Sequence, residues 1–293
     1  MASMRDIKRR KASIQSTGQI TKAMKLVSTV KLQRAKARAE KSKTYFNTMY
    51  ETVTGILKKS GNIDHPFLKA GGSSKKAVIL ITSNRGLAGG YNSNVCKLVT
   101  ESDMKKEDLL IFAIGKKGRD SLKRKGYEIA ADYSEVVNEP IYSDAAEISE
   151  KLLEMFSKGE IGEIYLAYTG FKNTVSHIPT LLRLLPVSLE DMSAESEGTD
   201  KDADSDDRAP MNYEPEEEEA LNLIIPKYIT SLIYGALIEA VASENGARMQ
   251  AMDSATSNAE EMISDLELKY NRARQGHITQ ELTEIISGAE AIS

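Results

Sequence analysis

The 293 residues carry a formal net charge of −4, a single cysteine and no tryptophan. That length suits one or two domains with a sizeable core, and the lone Cys96 excludes an internal disulfide or a Cys/His zinc cluster, so a reducing compartment is expected. No apolar run approaches the length needed to cross a bilayer, and MASMRDIKRR is charged without the apolar core of a signal peptide; an unprocessed, soluble or peripheral protein is expected.

The mild average hides a segregation of charge. Residues 1–43 hold thirteen Lys or Arg against Asp6 and Glu40, whereas residues 190–219 hold fourteen Asp or Glu against Lys201 and Arg208. Two such segments point to two different surroundings.

From Ser3 to about Lys59 there is no proline, and helix-favouring Lys, Arg, Ala, Gln and Met dominate. Ser3 and Asp6 can cap the start and Gly61 the end. At 1.5 Å per residue the helix would be roughly 80 Å long. Its apolar residues are thin on the ground: Ile7, Ile14, Ile20, Met24 and Val27, then Ala35 and Ala39. This narrow stripe predicts a coiled-coil seam.

The middle of the chain alternates. Lys76–Thr82, Leu109–Ile114 and Glu163–Tyr168 are short apolar runs that read as strands buried on both faces, and Val175–Val187 reads as a last strand, with Pro179 suiting an edge. Helical patterns fall at about 92–102, 116–125 and 144–158. A largely parallel sheet with right-handed crossovers follows. Residues Leu189–Pro215 are polar and acidic, which predicts a flexible loop.

After Pro226, a good first helical residue, the chain runs proline-free to about Ser287. Met252, Ala255, Ala259, Met262, Leu266 and Ala273 keep heptad spacing, and small residues (Ala23, Ala35, Ala247, Ala255, Ala259) would let two helices approach closely. The expected fold class is α/β: a long antiparallel two-helix coiled coil from the two ends of the chain, and a central Rossmann-like domain with a mainly parallel sheet. The expected division is 1–60, N-terminal helix; 75–189, α/β domain; 190–215, acidic loop; and 226–288, C-terminal helix. The helix pair is expected to form a rod with both termini toward its far tip.

Three candidate sites can be weighed. Residues 81–92, ITSNRGLAGGYN, turn from the first strand into a helix where a phosphate would sit. Gly86, Gly89 and Gly90 do not make GxGxxG, however, and no Gly-Lys-Ser/Thr follows, so a structural turn is favoured. His65, His177 and His277 lie on separate elements without ligand spacing, and no catalytic motif stands out; no cofactor or metal is expected. The cations from Arg5 to Arg38 could meet nucleic acid, but they surround the helix without interleaved aromatics, and acidic protein partners suit them equally well.

Met4–Arg10 (MRDIKRR), Ile20–Val27 (ITKAMKLV) and Tyr270–Gly288 (YNRARQGHITQELTEIISG) strongly resemble the gamma subunit of F-type ATP synthases, as do Ala247–Met252 and Thr82–Gly90. The resemblance covers nearly the whole chain. It implies a non-catalytic rotor shaft standing inside a ring of three alpha and three beta subunits, over an epsilon subunit and a membrane ring of c subunits. Proton or sodium flow would turn it and drive nucleotide exchange at sites on beta. On this resemblance Met24, Lys25, Arg248, Gln275 and Thr279 contact beta, and Tyr213 and Glu214 contact the c ring. Peripheral association with the cytoplasmic face of a bacterial plasma membrane is implied. The acidic run around 193–209 is longer than expected of a bacterial relative; it lacks the cysteine pair of the chloroplast insertion and reads as an ornament. The readings left beside this one are a nucleotide-binding α/β protein and a nucleic-acid-binding rod.

Overall fold

The computed structural model describes residues 4–59, 65–188 and 217–290. In chain order these form α1 (Met4–Lys59), β1 (Lys76–Ile81), α2 (Tyr91–Thr100), β2 (Leu109–Ile114), α3 (Lys116–Arg124), β3 (Glu128–Asp132), α4 (Tyr142–Ser157), β4 (Glu163–Phe171), β5 (His177–Leu185) and α5 (Glu217–Glu290). The chain gathers into two compact units, Met1–Thr29 with Arg248–Ser293, and Val30–Ala247.

In the Val30–Ala247 unit the five strands lie in the order β3-β2-β1-β4-β5. β1 pairs in parallel with both β2 and β4, and β2 with β3; β5 runs antiparallel to β4 and forms an edge. Two steps through α2 and α3 carry the chain outward from β1 to β3. The α4 crossover then returns it to the other side of β1. Right-handed crossovers in opposite directions place their helices on opposite faces of a sheet, and the burial follows this rule. Val78 and Leu80 of β1 pack with Val95 and Val99 of α2 and Leu122 of α3. Ala77, Ile79 and Ile81 face the other way and pack with Ile148 and Leu152 of α4, Val53 and Ile56 of α1, and Leu221, Ile225 and Ile229 of α5. With both faces covered, β1 and β2 are apolar almost throughout.

The sequence reading of three strands and three helices holds to within a few residues, and Pro179 sits on the antiparallel edge strand as expected. β3 is an addition. Its residues Glu128-Ile-Ala-Ala-Asp132 are exposed and half-buried in alternation, so this edge strand lacks the long apolar run that marks its neighbours.

Two corrections concern α5. The helix begins at Glu217, and Pro226 lies inside it. An interior proline costs about 3 kcal/mol through its lost hydrogen bond and ring clash. Burial of Leu221, Ile225, Tyr228 and Ile229 on either side offsets this. The helix also overturns the reading that no apolar run approaches the length needed to cross a bilayer. A stretch of 18 residues within the helix reaches mean hydropathy 1.4, enough by composition to cross a bilayer, but 61% of it is buried inside the protein. Ser3, Gly61, Tyr213, Glu214 and the acidic loop lie outside the described residues.

One buried acid stands out in this unit. Glu239 of α5 accepts a long hydrogen bond from the Phe171 backbone N–H, at 3.4 Å, and burial pushes its carboxyl above the usual glutamate range. A proton held more tightly in the folded state than in the unfolded one makes stability fall as pH rises from the ordinary glutamate range through the raised value. Glu239→Gln is therefore expected to unfold at a higher urea concentration than the parent at neutral pH. The difference should shrink on acidification; equal midpoints at neutral pH would refute the account.

Candidate functional site

In the unit formed by Met1–Thr29 and Arg248–Ser293, α1 and α5 run antiparallel. Lys11 bonds to Glu267 at 2.6 Å, a Cβ on Gly18 would meet that of Ala259 at 3.5 Å, Thr21 and Thr256 share a hydrogen bond of 2.7 Å, and Lys25 bonds to Asp253 at 2.5 Å. Positions rise on one helix as they fall on the other. The inward positions on α1 are Met4, Ile7, Lys11, Ile14, Gly18, Thr21, Lys25 and Ser28, spaced alternately three and four apart. On α5 they are Met252, Thr256, Ala259, Ile263, Leu266, Tyr270 and Ala273, with the same spacing. Both sets are strict heptads.

The expected seam is thus right in kind and shifted in detail. Ile20 and Val27 point outward at 58% exposure each, as does Ala23, while the neighbouring Thr21 and Ser28 are buried. On α5, Met262 is outward and Ile263 takes its place. A register that continues from Ile7 and Ile14 arrives at Thr21, hydrogen-bonded to Thr256, and at Ser28, both small polar residues that are buried. An apolar search selects the residues beside them instead.

Several polar groups of the loop between β1 and α2 are engaged within the fold. The Ser83 N–H donates to Asn92 Oδ1 at 2.9 Å, and Asn84 Nδ2 donates to the Ser134 carbonyl at 2.7 Å. At the start of α3, the Lys116 N–H goes to Asn84 Oδ1, the Lys117 N–H to the Ser83 carbonyl, and the Gly118 N–H to Thr82 Oγ1. These donors at the carboxyl ends of β1 and β2 are the groups a phosphate would use, and each has an internal partner. Gly89 is there for its positive φ of 55°. The histidines stay apart. His65 is buried, taking the Phe67 N–H on Nδ1 and facing Asn222 Oδ1 with Nε2 at 3.0 Å. His177 packs edge-on against Phe171, and His277 is exposed on α5. Among the described residues no group of His, Cys, Asp or Glu could hold a metal ion. The Cys96 thiol is buried, and burial raises its pKa, which keeps it protonated and unreactive.

Comparison with known proteins adds a family to this geometry. The family model described as ATP synthase matches residues 3–292. The ATP synthase gamma chain of Lachnoclostridium phytofermentans is 69% identical over 294 residues, spanning 100% of both chains. The chain belongs to the ATP synthase gamma chains. Its function is that of a gamma chain in an ATP synthase. The sodium-ion-specific gamma chain of Acetobacterium woodii is 43% identical, with 99% of each chain covered. Among solved structures, the Euglena gracilis mitochondrial ATP synthase (OSCP, F1 and c-ring) contains a chain that matches with a TM-score of 0.65 at 18% identity, covering 99% of this chain and 94% of that one. At that identity the likeness speaks for the fold.

Within this gamma chain the expected contact residues fall at different levels of the helix pair. Met24 and Lys25 are half-buried on α1, at the level of Asp253. Arg248 is half-buried on α5 and already has an interaction within the chain. Gln275 and Thr279 are exposed, about 33 Å and about 39 Å further along α5 than Asp253. The Thr279 hydroxyl donates to the Gln275 carbonyl at 2.9 Å. Lys25 is thus tied across the seam to Asp253 on the other helix. Asp253 was missed by sequence reasoning. Its signal was available, as an acid opposite a cation once the antiparallel register is known.

The Lys25–Asp253 pair is more than a third exposed on both sides, so it is worth about 1 kcal/mol or less. Lys25→Glu sets like charges opposite each other and is expected to lower stability by about that amount, and adding Asp253→Lys should restore it. Urea midpoints of the two variants decide. A double variant no more stable than Lys25→Glu would show that the pair contributes nothing.

Proposed function

We propose that this chain is the non-catalytic rotor shaft of its complex. The helix pair turns inside a ring of three alpha and three beta subunits. The remainder of the chain bears on an epsilon subunit and a c ring, at the cytoplasmic face of a bacterial plasma membrane. Rotation presents different sides of the pair to each beta subunit in turn and so shifts its population among states of different nucleotide affinity. Met24, Lys25, Arg248, Gln275 and Thr279 are the contacts to beta, and Tyr213 and Glu214 those to the c ring.

One observation carries this reading. From Arg274 to Ala289 every residue of α5 is exposed, among them Ile278, Leu282, Ile285 and Ile286, with Ile285 at 68%. This part of α5 extends past the level of the first described residue of α1, so no described helix lies across it. A lone helix end with four large apolar side chains in water is a surface made for a protein partner. Ile20 and Val27 offer a second apolar strip on α1. The cations around α1 complement a ring with acidic loops and steer assembly.

The decisive experiment is reconstitution. Purified alpha and beta subunits are mixed with the full chain, and the complex is followed by size-exclusion chromatography and by ATP-driven rotation of a bead fixed to this chain. Co-elution at one copy per hexamer with rotation is expected. An intact hexamer that leaves this chain behind would sink the proposal.

A further inference from the structure

Two hollows in the Val30–Ala247 unit share the same three walls: α1, α5 and the segment that leads into α4. The larger encloses about 410 Å³ and is lined by Tyr45, Phe46, Tyr142 and Tyr234, with Ser42 and Ser231 between them. That volume is in the range of small-molecule sites, and its mixture of aromatic faces with a few hydroxyls is typical of them. Gly235 forms part of the lining, and a Cβ there would meet nothing within 4 Å, so space is left open at that point. Tyr142 meets Tyr234 edge-on at a centroid distance of 5.7 Å. The smaller hollow, about 70 Å³, is lined on α1 by Lys31, Arg34 and Arg38.

The two hollows abut along every wall. On α1, Arg38 stands one turn before Ser42, whose hydroxyl donates to the Arg38 carbonyl at 3.2 Å. On α5, Ile238 stands one turn after Tyr234, and on the third wall Pro140 stands two residues from Tyr142. The result is one groove with an aromatic end and a cationic end. Lys31, Arg34 and Arg38 are spaced three and four apart, so their side chains share one face of α1. None of them is ion-paired with another described residue, and Glu139 is the one carboxylate in the lining.

We propose that this groove binds a nucleoside polyphosphate, with the base among the tyrosines and the phosphates on Lys31, Arg34 and Arg38. The aromatic end suits any base, since every base offers a flat face for stacking. The cationic end supplies two guanidinium forks, the donor set matched to phosphate oxygens. Arg38 and Tyr45 stand about 10 Å apart along the helix, a span that an extended triphosphate can bridge. An apolar ligand would leave the cations unused, and a bare polyphosphate would leave the tyrosines unused. None of the residues lining the groove belongs to the loop after β1, and the site stands independently of the rotor role.

The test is calorimetric titration of the full chain with ATP, and separately with tripolyphosphate and adenosine. Saturable one-to-one binding of ATP is expected, about tenfold tighter than either fragment. Tyr142→Ala should weaken ATP by about tenfold and leave tripolyphosphate unchanged. Arg34→Ala with Arg38→Ala should weaken both. Tyr142 is 42% exposed, so its removal should spare the fold; Tyr45→Ala is the second variant, and circular dichroism verifies both. The proposal is overturned if ATP does not saturate, if tripolyphosphate binds as tightly as ATP, or if ATP binds folded tyrosine and arginine variants as it binds the parent.

Discussion

Gly115→Val is expected to destabilise the Val30–Ala247 unit by about 3–5 kcal/mol, combining backbone strain with a steric clash. Gly115 joins β2 to α3 with φ at 116°, where a branched side chain is strongly disfavoured. An added Cβ would also fall inside the contact shell of the Thr82 carbonyl oxygen. Neither neighbour can yield easily. Thr82 is fixed by its N–H to the Ile114 carbonyl at 2.8 Å, and its hydroxyl accepts from the Gly118 N–H at 2.9 Å. Moving it would disturb the carboxyl ends of both central strands. Gly55→Ala in α1 is the control, since a Cβ there meets nothing within 4 Å and alanine is the better helix former. Urea denaturation followed by circular dichroism should show a sharply lower midpoint for Gly115→Val and an equal or higher one for Gly55→Ala. An unchanged midpoint for Gly115→Val would refute the packing argument.

The sheet was legible in the sequence because two-sided burial writes itself into a strand as an unbroken apolar run, as at Lys76–Ile81 and Leu109–Ile114. Half-exposed β3 left no such run. The seam was legible as a heptad but not in its phase, because Gly18, Thr21, Lys25 and Ser28 occupy its inward positions. Thr21 and Lys25 are held there by Thr256 and Asp253 on the other helix, and a single strand of sequence does not show partners. The start of α5 was hidden for a related reason. Pro226 is a local stop signal, but burial of the residues around it is a tertiary effect that overrides local propensity.

The contact residues proposed above come from resemblance, and physics adds a division among them. Gln275 and Thr279 stand on the exposed end of α5, where a substitution changes the surface and little else. Lys25 is occupied by Asp253 across the seam. A contact to beta through Lys25 therefore has to share that cation or displace the acid, whereas the exposed pair carries no such cost. Effects at Lys25 should accordingly mix stability with turnover, and effects at Gln275 and Thr279 should fall on turnover alone.

Arg248→Ala is expected to lower the coupled turnover of the assembled complex on the order of tenfold to a hundredfold, the loss anticipated for one charge-assisted hydrogen-bonding group at about 1.5–3 kcal/mol. Arg248 opens the α5 segment of the helix-pair unit, is half-buried and has an interaction within its own chain that can hold it in place. A planar fork held in this way can meet a carboxylate with two parallel bonds, and an ammonium cannot. Arg248→Lys should therefore recover only part of the activity. Because Arg248 also interacts within its own chain, stability and turnover have to be measured together. If its role is confined to the chain, Arg248→Ala will lower the urea midpoint, and the assembled complex will work normally wherever the chain stays folded. If it grips a beta subunit, the midpoint will move by less than about 1 kcal/mol, as for most partly exposed substitutions, while ATP synthesis per transported ion falls. Normal synthesis in the presence of normal stability would remove Arg248 from the torque-bearing surface and leave that task to Gln275, Thr279 and the exposed apolar end of α5.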